Sequence, residues 1–265
     1  MAQTYLSLFD LAPGKVLLDR YLIDAPHREN GMSAAFRVTD QTNGELRELQ
    51  AFPSSLFENK AQAEAFAETL GTWSALDDAT FTRVQEIQVL GDGAVIAVFE
   101  FPEGTALRDL SAERGSWDAT EVVDLGLALL AGLENAHAKG LIHGDIKPST
   151  VFLGDHGPVL VDGGVTPGLW AAKHLGTRTA LIGTPYYAPL EQFGGDAPDE
   201  SSDLYNLATV MYELVSGVMP WAGRSFIAVC PFRSDARVGR RFGEDQLHGT
   251  VGKGGRGKRD RRRSS

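Results

Sequence analysis

Four short blocks in the second half of the chain carry residue types that handle charge. The first runs Leu141-Ile142-His143-Gly144-Asp145-Ile146-Lys147-Pro148-Ser149-Thr150. After a short apolar strand come Val161-Asp162-Gly163-Gly164, then Gly183-Thr184-Pro185-Tyr186-Tyr187-Ala188-Pro189-Leu190-Glu191, and finally Ser202-Asp203-Leu204-Tyr205. Carboxylates, a lysine and several hydroxyls thus recur among glycines and prolines that punctuate loops. A lone aspartate in a loop ordinarily caps a turn. The linked order of four such blocks is what argues for a site.

Together the blocks resemble the protein kinase family, and most closely its bacterial serine/threonine branch, over roughly Leu18 to Gly223. The signature set of that family is a His-Arg-Asp catalytic loop, Asp-Phe-Gly and Ala-Pro-Glu. The resemblance implies an α+β bilobal fold, with a small β-rich N-lobe over 18–101 and a mainly α-helical, incomplete C-lobe over 102–223. It also implies phosphoryl transfer, which needs positioning and charge neutralisation more than covalent help. By resemblance, Asp145 would orient the substrate hydroxyl and accept its proton. Lys147 would neutralise the γ-phosphate of ATP, with Thr184 hydrogen-bonding beside it. Asp162 would hold Mg²⁺, which prefers oxygen ligands, and Thr150 stands where an asparagine holds the second metal. Glu191 and Asp203 would anchor the activation segment and the catalytic loop.

The departures from the family pattern bear on activity. Ungapped matching sets Arg28, Asn30 and Ser33 at the three loop glycines, leaving only Gly31 nearby, although backbone must approach phosphates closely there. Gln50 stands at the phosphate-binding lysine, and an amide supplies no positive charge. Glu48 takes the place of the small alanine above the adenine, where an unpaired carboxylate is costly to desolvate. The helix glutamate that pairs with that lysine falls on Thr69, with Glu68 one residue away. The hinge is Phe99-Glu100-Phe101-Pro102-Glu103-Gly104, so Glu100 and Pro102 join Gly31 and Gln50 as residues of a degenerate ATP site. Pro102 stands where a backbone N–H meets adenine and has none to give, which costs about 1–3 kcal/mol if the acceptor stays buried. Gly163 replaces a phenylalanine, whose space Trp73 is expected to fill. Gly144 replaces an arginine that senses phosphorylation, so Thr166, Thr177 and Thr179 are not expected to form the usual phospho-switch.

Groups that handle the phosphoacceptor survive while most groups that hold ATP are missing. The resulting expectation is a pseudokinase, a binding or regulatory module that meets a protein partner. Two alternatives stay open. One is an active serine/threonine kinase using ATP and Mg²⁺ on protein hydroxyls, with Lys60 or Lys15 reaching the phosphates. The other is phosphotransfer to a small molecule, against which the Gly183–Pro185 and Glu191 blocks count.

The elements that must position these residues fall into two groups. Arg20–Leu22, Ala34–Val38, Leu46–Phe52, Val84–Leu90 and Ala94–Phe99 read as strands, the last two joined through a Gly91-Asp92-Gly93 turn. Ala61 to Leu76 has helical spacing. Asp118 and Glu121 form a capping-box pattern before the apolar face of Val122, Leu125, Leu129 and Leu133, with Gly140 as C-cap. Ser202 to Ser216 repeats the helical pattern and ends at Gly217.

Length and composition frame this reading. The 265 residues are 43% hydrophobic and 23% charged, which fits a folded globular chain. A single cysteine, Cys230, excludes an internal disulfide framework and a multi-cysteine zinc site. No secretory signal and no run of ~20 apolar residues is present, so a cytoplasmic protein without a membrane segment is expected. Residues 233–265 carry 11 Lys/Arg against 4 Asp/Glu, net +7, whereas 1–232 carry 14 against 31, net −17. The acidic body argues against nucleic acid as a specific partner, and the basic tail could touch polyanions. Residues 224–265 are Gly/Arg-rich and expected to be disordered. They lack the helices that complete the family's C-lobe, so another chain completes it, the reading frame changes near Ile227, or the domain folds poorly. Arg233 or Arg237 could then substitute as the partner of Glu191.

Overall fold

The computed structural model describes residues 5–7, 10–29, 31–173 and 186–220. Thr177, Thr179, Thr184, Arg233, Arg237 and the tail over 224–265 lie outside the described residues.

The first lobe is built from strands that read apolar on one or both faces. β1 (Val16–Leu17), β2 (Tyr21–Glu29), β3 (Ala34–Asp40), β4 (Leu46–Phe52), β5 (Val84–Val89) and β6 (Val95–Glu100) form one sheet in the order β1-β2-β3-β4-β6-β5, antiparallel throughout. Successive side chains of a strand point to opposite faces. On β6, Val95, Ala97 and Phe99 therefore pack with Phe66 and Leu70 of α1 (Lys60–Gly71), while Ile96 and Val98 pack with Tyr21, Val38 and Leu49. The 91–93 turn forms as expected, with Gly93 at φ 85° and the Asp92 carboxylate accepting from Ala94 N at 3.0 Å. β2 runs to Glu29, well beyond the short strand expected over 20–22.

The helix expected over 61–76 is split. Asn59 caps α1 by accepting from Gln62 N at 3.0 Å, and α1 ends at Gly71. A 3₁₀ turn over Thr72–Ala75 follows, where Thr72 and Ser74 hydroxyls donate to carbonyls three residues back at 2.6 and 2.7 Å. Such local bonds compete with regular helix.

The second lobe contains β7 (Thr105–Ala106), α2 (Leu107–Arg114), α3 (Ala119–His137), β8 (Val151–Gly154), β9 (Gly157–Leu160), α4 (Val165–Lys173), α5 (Leu190–Gly194) and α6 (Glu200–Ser216). α3 and α6 run antiparallel, with Trp117 N donating to Leu214 O at 2.8 Å. Leu125, Leu129, Leu133, Leu207, Val210 and Leu214 fill the space between and below them. The expected capping box on α3 is only half made. Asp118 accepts from Thr120 N at 2.8 Å, but Glu121 bonds Arg114 at 3.0 Å instead of reaching back. α6 carries the full box between Asp199 and Ser202 and ends at Gly217, φ 72°. Among the described residues no helix is long and apolar enough to cross a membrane.

α4 is not among the elements expected from the sequence, and it contains Pro167 and Gly168. Pro167 sits in the first turn, where a missing N–H leaves no bond unmade. The helix buries Val165, Leu169 and Ala172 against α1 and the first-lobe sheet. Glycines permit this docking. A Cβ on Gly168 would lie 3.1 Å from Phe66, and one on Gly144 would lie 2.6 Å from Pro167.

Candidate functional site

The loop from His143 to Thr150 is held from below. Asp203, at the start of α6, is fully buried and accepts from His143 N at 2.9 Å and Gly144 N at 2.7 Å. His137 on α3 meets the same carboxylate at 2.9 Å, and its pKa is raised by that bond. The His143 ring bonds Val161 O at 2.9 Å, tying the loop to the segment that carries Asp162.

Asp145 and Lys147 face each other, Nζ to Oδ2, at 2.5 Å. Burial pushes the Asp145 carboxyl above its ordinary value, while Lys147 pulls the other way. Thr150 turns into its own loop: its hydroxyl lies 2.9 Å from Asp145 O and 3.1 Å from Lys147 O, and accepts from Lys147 N at 3.0 Å.

Asp162 adopts a left-handed backbone, φ 67°, uncommon for a residue other than glycine. Its Oδ1 accepts from Gln50 Nε2 and Arg28 Nη2, each at 2.6 Å, and its Oδ2 accepts from Arg28 Nη1 at 2.6 Å. The second half of the Arg28 fork holds Glu48, with Nε to Oε2 at 2.8 Å and Nη2 to Oε1 at 2.5 Å. Gln50 adds a bond to Glu48 at 2.9 Å and accepts from Ser33 at 3.1 Å. Burial alone would raise the Asp162 carboxyl, but the Arg28 guanidinium overrides it and holds the group well below the carboxylate range. Glu48, expected to be an unpaired carboxylate, is instead fully satisfied.

The remaining cavity in the cleft has a volume of about 210 Å³, lined by His27, Arg28, Thr105, Lys147, Phe152 and Asp162 among others. Pro102 is buried in the hinge and offers no N–H. The Glu100 carboxylate turns to β5, meeting Gln85 Nε2 and Arg83 N at 3.4 Å. Gly31 lies at an exposed loop tip and lines a separate cavity with Leu6, Leu11 and Met32. The structure therefore brings Gln50, Thr150, Asp145, Lys147 and Asp162 to one cleft and leaves Gly31 outside it.

Neither helix candidate engages Gln50. Glu68 is exposed beside β5, and the Thr69 hydroxyl donates to Ala65 O at 3.0 Å while its Cβ faces Gly168. Lys60 pairs with Glu64 at 3.8 Å and Lys15 is exposed, so the cation at Asp162 is Arg28 rather than either lysine. Sequence reading placed Arg28 only as a missing glycine; its charge beside two carboxylates was the unused signal. Trp73 fills the space beside Gly163 as expected. It is 5% exposed, and a Cβ on Gly163 would lie 2.6 Å from its ring.

These donors do not fit a divalent cation. Both Asp162 oxygens already accept from side chains, Thr150 is turned away, and no cluster of three or more His, Cys, Asp or Glu among the described residues is arranged for a metal.

A family model described as "Protein kinase domain" matches residues 53–230, starting just after β4. The probable serine/threonine-protein kinase PknB of Corynebacterium glutamicum is 31% identical over 219 residues, covering 81% of this chain and 34% of that protein. Serine/threonine-protein kinase PknL of Mycobacterium tuberculosis is 31% identical over 226 residues, covering 84% and 56%. The chain thus spans about a third to a half of the length of these relatives. Among solved structures, the Mycobacterium tuberculosis PknI kinase domain superposes with a TM-score of 0.64 at 20% identity, covering 79% of this chain and 79% of that one. Loop, cleft, lobes and matched span agree: the chain belongs to the protein kinase family, as a domain of the bacterial serine/threonine type.

Proposed function

We propose that this kinase domain is a pseudokinase, a binding or regulatory module that works through a protein partner rather than by phosphoryl transfer. The observation that carries the reading is the occupation of Asp162. The carboxylate that would hold Mg²⁺ by family resemblance is claimed on both oxygens by Arg28 and Gln50. The cations around the cavity are each paired, Arg28 with Glu48 and Asp162, Lys147 with Asp145 and Arg108 with Asp109, so four carboxylates against three cations leave no surplus positive charge for a triphosphate. Electrostatic stabilisation usually supplies more of the rate enhancement in such catalysis than any other effect. A cytoplasmic setting is part of the proposal.

Thermal unfolding with and without ATP and Mg²⁺ tests it. A ligand at 100 times its Kd stabilises by about 2.7 kcal/mol, roughly 5–10 °C in Tm for a chain of this size. No shift, and no phosphate transferred to the chain or to generic protein substrates, is the expected result. A metal-dependent shift would overturn the reading. The surviving Asp145–Lys147 pair favours a second reading, an active kinase in which Arg28 releases Asp162 to serve a phosphate. Activity lost on both Asp145→Asn and Arg28→Ala would establish that one.

A further inference from the structure

Two consecutive residues of one strand enter the cleft together, which regular strand geometry forbids. In β2 the residues His27 and Arg28 should point to opposite faces of the sheet. Both instead reach the same Glu48 oxygen, His27 Nδ1 at 2.7 Å and Arg28 Nε at 2.8 Å. The β2–β3 pairing slips between Pro26 and Arg28, the signature of a bulge. Bulges re-aim side chains and are frequent beside functional sites. Pro26, with no N–H for the ladder, stands at the slip.

The bulge sends the imidazole toward the hinge and the second lobe. Its ring centroid lies 4.7 Å from Phe101 in the hinge and 6.0 Å from Phe152 on β8. The guanidinium spans the lobes, joining Glu48 on β4 to Asp162 beyond β9. By family resemblance Glu48 lies above the place of the adenine and Asp162 at that of the metal.

We propose that His27 and Arg28 are a built-in occupant of the nucleotide cleft, holding the two lobes closed as a nucleotide with its metal otherwise would. The pair fixes what the cleft admits: an aromatic slot is taken by imidazole, and the carboxylates that would attract a cation are taken by guanidinium. The proposal rests on the pseudokinase reading and deepens it, since it names what replaces the nucleotide. The planar fork of Arg28 matters as much as its charge, because it meets each of the two carboxylates through a pair of N–H bonds, which an ammonium cannot do.

Hydrogen–deuterium exchange on the full chain tests this, read at three stretches: β2, residues 161–164, and the core helices α3 and α6. Wild type should be protected at all three without ligand and unchanged by ATP with Mg²⁺. In a His27→Ala/Arg28→Ala chain, β2 and 161–164 should exchange at least tenfold faster while α3 and α6 stay protected. If that chain does not fold, Arg28→Lys keeps the charge and loses the fork, and should give the same selective acceleration. Unchanged exchange in the variants, with wild type still blind to ATP, overturns the occupant alone. Protection of wild type by ATP and Mg²⁺ overturns the reading of the cleft on which it stands.

Discussion

Trp73 and Gly163 exchange roles with the family's phenylalanine, and swapping them back gives a test whose size follows from the packing. Trp73 is nearly fully buried, edge-on to Phe81 at 5.3 Å between ring centroids and 6.4 Å from His143. Truncating a buried tryptophan to alanine costs about 3–5 kcal/mol, which for a chain of this size lowers Tm by roughly 6–20 °C. Gly163 is not in a left-handed conformation, so a side chain there meets only a steric problem. A Cβ would fall 2.6 Å from Trp73 Cζ3, and overpacking of this kind costs about 1–3 kcal/mol. Trp73→Ala/Gly163→Phe puts a ring back into the space the indole leaves. The double variant should therefore be more stable than the sum of the two single losses by about 0.5–3 kcal/mol, the range for residues in contact. Gly164→Ala is the control. It has φ 77° and would also strike the indole, so Trp73→Ala relieves its clash but not its backbone strain. Urea unfolding followed by circular dichroism reads wild type, the three single variants and the two double variants that pair Trp73→Ala with positions 163 and 164. Strict additivity between positions 73 and 163 would refute the reasoning.

Three further outcomes follow from buried charge. Arg28→Ala leaves Glu48 and Asp162 facing each other without a cation, and breaking such a buried network should cost about 3–5 kcal/mol in urea unfolding; adding Asp162→Asn should recover part of it. Because Arg28 depresses the Asp162 carboxyl in the folded chain, the stability it contributes is present above the ordinary value of 3.8 and is lost as pH falls toward the depressed one. Arg28→Ala should remove that acid-side loss, and an unchanged acid limb in a pH series of Tm values would count against the pair. His137 titrates in the opposite sense. Its folded pKa is raised above 6.5 by Asp203, so its contribution is complete below pH 6.5 and drains away as pH rises through the raised value. His137→Gln should flatten the Tm profile across that window, and a profile identical to wild type would show that the pair carries no linked proton.

Most of the fold was legible because its signals are local. Short runs bounded by turn residues gave β3, β4 and β6 nearly to the residue, and glycine turns and α-helical caps placed α3 and α6. What was missed depends on distant partners. α4 is helical because α1 and the first-lobe sheet bury Leu169 and Ala172, a gain larger than the local signals of Pro167 and Gly168 suggest. Glu121 lost its capping role to Arg114, a neighbour supplied by another helix. At the site, the losses were readable one by one: Gln50 without charge, Pro102 without N–H. Their replacement was not, since nothing in a linear count reveals that a bulge at His27 turns Arg28 inward to span 134 positions to Asp162.

The anchoring of the His143–Thr150 loop by Asp203 has a consequence for how such chains drift. Asp203 belongs to the folding core, and its two backbone bonds shape the loop whether or not any nucleotide arrives. A mutation there penalises the folded state itself, so selection for a folded protein would preserve the motif whether or not the domain transfers phosphate. A position that by family resemblance meets only the nucleotide, such as Pro102, would have no such protection in a domain without turnover. On the pseudokinase reading proposed above, the two sets age at different rates, and the loop outlasts the nucleotide cleft.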